Sequence, residues 1–154
     1  EGQERDITVS APVRKQMFLV AVKEHGFATK CDTGGSRVAF QGPKTLVYEG
    51  PDLKGACTYN YSSDQKIQWL TNQLLGIATT LEEGRRLTVE HTHGRLTLDA
   101  ELETLATMVK EGQATEVGNI APILQTIVAD ENVMTRARRR AQALLDSDPA
   151  TAAH

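Results

Sequence analysis

An α+β fold is what the sequence predicts: a small antiparallel N-terminal β-meander packed on a C-terminal bundle of three to four α-helices. Three observations point there. Gly26, Gly34-Gly35, Gly42-Pro43, Gly50-Pro51 and Gly55 punctuate the first part at spacings of about eight residues, the cadence of short strands joined by turns. At Ser62 the apolar period switches from two to about 3.6 and stays there. Both cysteines, Cys31 and Cys57, fall on the strand side of that switch, where one bridge would brace a small sheet.

Residues 1–12 are polar, end in Ala11-Pro12, and read as a flexible arm. Met17 to Val22 is a compact apolar run bounded by charges, predicted as a buried strand with helix as its rival. Arg37–Gln41, Thr45–Glu49 and Ala56–Tyr61 follow as strands, with Leu46 and Tyr48 on one face and Cys57, Tyr59 and Tyr61 on another. Residues 13–61 thus form a β subdomain, and 62–146 a helical subdomain sharing one core with it.

Ser62 and Gln65 have capping-box spacing. Ile67, Leu70, Leu74, Ile77 and Leu81 then recur at helical intervals until Gly84, which is expected to end a long helix lying across the sheet. Leu87 and Val89 alternate with polar residues and face Leu96 and Leu98 across His93-Gly94, predicting a hairpin or an ordered loop over 85–97. A second helix starts at Thr97 or Asp99 and stops at Gly112, a third starts at Asn119 with Pro122, and a fourth at Asn132. The tail 147–154 is expected to fray. Asn119–Leu145, with Asp130 in its turn and Arg138 in the helix after it, resembles a single HEAT-type unit. That family stacks copies at a period of about 40 residues, and no second copy is found here, so an ordinary helical hairpin is predicted.

Charge and hydropathy narrow the function. The chain has 17 Lys and Arg against 20 Asp and Glu, a formal charge of −3, too little positive charge to predict nucleic-acid binding. Its longest apolar run is six residues, against about 20 for a bilayer crossing, so no transmembrane segment is expected. A sequence that opens at Glu1 and carries an even cysteine count predicts an exported chain, periplasmic or secreted, with a Cys31–Cys57 bridge.

No catalytic residue, cofactor site or cofactor is predicted. Asp32-Thr33-Gly34 resembles the core tripeptide of aspartic proteases, but Lys30-Cys31 precedes it and no second copy exists, so a Gly-rich turn is the reading. Gly34-Gly35-Ser36 lacks the Lys-Ser/Thr ending of a phosphate loop. His91 and His93 are the candidate metal ligands, since on a strand both rings would project from one face toward Glu90, Asp99 or Glu101. Tyr48, Tyr59, Tyr61 and Trp69 are the candidate binding patch for a protein or peptide. Arg136 and Arg140, four apart on the last helix, are the pair placed to grip one anion. The leading expectation is a non-enzymatic exported interaction protein. The alternatives are a metal-dependent enzyme or sensor at His91 and His93, and an intracellular module taking phosphate or nucleic acid on the Arg-rich helix.

Overall fold

The computed structural model describes residues 4–34, 39–40 and 42–148. They fall into two compact units: Ala11–Asn72, and a second that joins the segment ending at Ser10 to everything from Gln73 onward. The α+β class holds, with an antiparallel strand pair in the N-terminal part and helices beyond it. Among the described residues no helix is long and apolar enough to cross a membrane.

The unit Ala11–Asn72 opens with a helix, α1 (Ala11–Lys23), where a strand was expected from residue 17. Six consecutive apolar residues fit either element. Pro12 decides nothing against a helix, because a first-turn residue needs no N–H partner. Helical winding buries Val20 and Ala21 and leaves Phe18, Leu19 and Val22 exposed. The arm therefore ends at Ser10, two residues short of its predicted limit.

Strands β1 (Lys44–Glu49) and β2 (Lys54–Tyr59) pair in antiparallel register with Leu46 opposite Cys57. Period-two alternation turns Leu46, Cys57 and Tyr59 inward. Cys57 reaches back to Cys31 in a disulfide, with Cα atoms 6.0 Å apart and a sequence separation of 26. Asp32 folds the next turn by accepting the Gly34 N–H at 2.8 Å and the Asn60 N–H at 3.0 Å, so Asp32-Thr33-Gly34 is a structural turn. Those backbone donors, Asn60 first, hold the Asp32 carboxyl below its ordinary range. The predicted strand over 37–41 lies mostly outside the described residues, as do Gly35-Ser36 and the tail from residue 149; Ala39 and Phe40 are in neither helix nor strand.

Helix α2 (Gln65–His93) begins in this unit and ends in the other. Asp64, rather than Ser62, caps it, accepting the Lys66 N–H at 2.8 Å. Ser62 supports the turn through its own carbonyl, which accepts from Gln68 Nε2 at 2.9 Å. Gly84 does not end α2. A Cβ there would fall inside the van der Waals shell of Ile120 Cγ2, with Ile120 Cβ at 3.1 Å. This glycine permits close packing in mid-helix, and the helix carries on through the span predicted as hairpin or loop. Leu87 is fully buried by it, whereas Leu96 lies 89% exposed in the short turn Arg95–Thr97. Of the predicted core residues of this helix, Ile67, Leu70 and Ile77 are buried, while Leu74 and Leu81 are only half-buried.

The second unit completes itself with α3 (Leu98–Lys110), α4 (Ala121–Ala129) and α5 (Thr135–Asp146). Gly112, at φ +76°, closes α3 with the Gln113 N–H on the Met108 carbonyl at 2.8 Å and the Gly112 N–H on Val109 at 3.2 Å. Asn132 does not start the last helix, because its N–H is held by Asp130 at 2.9 Å in the α4–α5 turn. Leu87, Leu98, Leu102, Leu105, Leu124 and Ile127 make the centre of the core, each at or near zero exposure. The helical hairpin α4–α5 is latched by Arg138 Nε donating to the Val128 carbonyl at 2.9 Å.

Candidate polypeptide-binding groove

The loop that leads into α4 lies against the small residues of α2. Gly76 accepts the Thr115 N–H at 3.2 Å, and Thr80 Oγ1 donates to the Thr115 carbonyl at 2.7 Å. A Cβ at Gly76 would stand 2.7 Å from Thr115 Oγ1, so Gly76 and Gly84 together set how close the loop can come. Anchored this way, the loop presents Glu116 and Asn119, separated by the start of the short turn Val117–Ile120. Glu116 is held at φ 54°, ψ 56°, a left-handed conformation that non-glycine residues seldom adopt.

Residues 4–10, in neither helix nor strand, cross these two side chains. Asn119 Oδ1 accepts the Thr8 N–H at 2.7 Å, and its Nδ2 donates to the Thr8 carbonyl at 2.8 Å. The second Nδ2 hydrogen goes to the Glu116 carbonyl at 3.0 Å, which fixes which way the amide faces. Two residues on, the Glu116 carboxylate accepts the Ser10 N–H and the Ser10 hydroxyl, both at 2.9 Å. Thr8 itself is exposed, so this strap is held by polar pairing rather than by burial.

Beside the strap, a groove of about 600 Å³ runs between α2 and the start of α4. Leu81, Gly84, Ile120 and Ile123 floor it; Arg5, Arg85, Thr88, His91 and Asn119 stand at its edge. Its threonine hydroxyls are committed to their own helices, with Thr88 donating to Gly84, Thr92 to Thr88 and Thr126 to Pro122 at 2.8 to 3.1 Å. None is therefore poised as an activated nucleophile. The groove offers shape, an apolar floor and backbone-matching polar groups.

His91 and His93 stand on α2, not on a strand, so at about 100° per residue they point to different sides of the helix. His91 Nε2 pairs with Asp130 Oδ2 at 2.8 Å, while His93 is exposed. Asp130, bonded first by the Asn132 N–H and then by His91, is held below the ordinary carboxylate range. No group of three or more potential metal ligands comes together among the described residues.

Arg136 and Arg140 do grip one anion, and it is the chain's own Asp99, at 2.6 and 2.9 Å. Burial resists the charge on Asp99, but the two guanidiniums outweigh it and its pKa is lowered. Of the aromatic four, Tyr59 is buried and pairs its hydroxyl with Thr71, so it cannot belong to a surface patch. Tyr48 meets Phe18 edge-on at 6.2 Å, and Trp69 flanks a separate shallow hollow with Gln16, Val20 and Lys66.

A feature with no sequence signal lies where α2 meets α3. Glu83, only 3% exposed, faces Glu101, with Arg86 at 3.5 Å from the one and 3.9 Å from the other. Burial first, and the neighbouring Glu101 carboxylate second, push Glu83 up to about 7. Glu90, two turns further along α2, is raised by burial and by the same Glu101. Glu83 is too enclosed to meet a substrate, so the pair belongs to the interior and its protonation state to stability.

No family model matches the sequence, and no curated protein or solved structure is similar to it.

Proposed function

We propose that the unit built on residues 73–148 is a non-enzymatic polypeptide-binding module that takes a chain segment along α2 and the loop 116–120. One observation carries the reading. Asn119 pairs with both the N–H and the C=O of a single residue of a segment outside any helix or strand, which is recognition of a peptide backbone rather than of any particular side chain. The strap 4–10 occupies that site in cis, and the groove beside it has room for more chain. The Cys31–Cys57 bridge supports action in an oxidising compartment, as expected of an exported protein.

The test uses the full chain with Thr8→Pro, which removes the N–H that Asn119 reads. A synthetic, end-capped peptide with the sequence of Glu4–Ser10 is titrated into it and followed by amide NMR. Saturable shifts confined to the Asn119 side chain, Thr88 and Ile123, abolished by a further Asn119→Ala, are expected. Absence of saturable binding, or binding indifferent to Asn119→Ala, refutes the proposal.

A further inference from the structure

We infer that Glu116 makes this site selective for a serine or threonine two residues after the one clamped by Asn119; the inference rests on the polypeptide-binding reading above. Glu116 Oε2 accepts the N–H of Ser10, which any residue but proline supplies. Its Oε1 accepts the Ser10 hydroxyl, which only a hydroxylated side chain supplies. Both contacts are partly buried, so a segment with alanine there leaves one carboxylate oxygen without its donor. Hydrogen bonds to a charged group are the ones whose loss discriminates most between ligands.

The two readers are built as one device. The Glu116 carbonyl takes the Asn119 N–H at 3.1 Å and the Asn119 side-chain amide at 3.0 Å, while the Glu116 carboxylate reads Ser10. The left-handed backbone at Glu116 is what lets a single residue do both. Thr8 meets the loop through its backbone N–H and C=O alone, its side chain being exposed, whereas Ser10 meets it through both its N–H and its hydroxyl. The ligand class is therefore a segment of the form clamped residue, any residue, Ser or Thr. A phosphate on that hydroxyl would set two anions against each other and remove the donor.

Isothermal titration of the full chain carrying Thr8→Pro and Ser10→Pro, which removes both backbone N–H donors and the hydroxyl by which the strap is held, tests this. The probes are three end-capped peptides of the Glu4–Ser10 sequence, ending in serine, alanine or phosphoserine. The serine peptide is expected to bind about tenfold tighter than the alanine peptide, and phosphoserine more weakly than either. Glu116→Ala should bring the serine-to-alanine ratio to about one; if that variant does not fold, Glu116→Gln, which keeps the shape and removes the charge, should lower the ratio. Equal affinity for serine and alanine peptides overturns the inference and leaves the groove reading standing. Failure of all three to bind overturns both.

Discussion

Glu83 supplies the sharpest test of the energetics. Its carboxyl titrates near 7 in the folded chain against an ordinary 4.5, so between those values the folded state holds a proton that the unfolded state has lost. Stability contributed by this group is therefore complete below pH 4.5 and disappears as pH rises through 7. At about 1.4 kcal/mol for each pH unit, the span amounts to about 3 kcal/mol, and Glu83 is buried enough for solvent to screen little of it. Glu83→Gln keeps the shape and stays neutral, so it should remove that slope and leave the variant about 3 kcal/mol more stable than the parent at pH 8. Urea unfolding at half-unit steps from pH 4 to 8, for both proteins, reads it directly. Asp99, Asp130, Asp32 and Asp64, all shifted downward, act at lower pH and with the opposite sign. Groups that do not interact with residue 83 cancel in the difference between the two curves. Parallel profiles would refute the argument, showing that Glu83 ionises without cost.

Two further changes probe the packing. Gly84→Ala should gain about 1 kcal/mol of helix propensity yet lose about 1–3 kcal/mol to overpacking against Ile120, so the midpoint in urea falls; Gly94→Ala, whose Cβ would meet nothing closer than Thr97 Oγ1 at 3.7 Å, is the control. A rise at Gly84 would mean that the close approach is not real. Opening the Cys31–Cys57 bridge by a double change to serine should cost about 3.5 kcal/mol, the chain-entropy value for 26 residues of separation; thermal unfolding checks it, and an unchanged Tm would show that the bridge closes nothing the fold does not already close.

Legibility in the sequence followed the range of the interaction. Leu46 and Tyr48, Cys57 and Tyr59 sort onto faces because alternation along a strand is local, and the cysteine pair needed only a loop of reasonable length. Gly112 was equally readable as a helix stop. Gly84 carried the same residue type with the opposite meaning, since its reason lies in Ile120, far along the chain. Met17–Val22 had no alternation or amphipathic stripe to choose strand from helix. Arg136 and Arg140 read from their spacing as a pair for an external anion, and nothing in that spacing could say that the chain's own Asp99 lies between them. Asn119 and Glu116 left no signal at all as partners of Thr8 and Ser10. A side chain that reads backbone has no complementary residue to look for, and Asn119 looked like an ordinary helix start.

The strap also dictates an order of assembly. Thr8 and Ser10 are synthesised more than a hundred residues before the side chains that hold them, with the whole of Ala11–Asn72 emerging in between. Their contact closes a loop of more than a hundred residues and can form only once the ribosome has delivered residue 119. Until then the segment around Thr8 and Ser10 has no berth, so the nascent chain offers that half of the pairing to its surroundings.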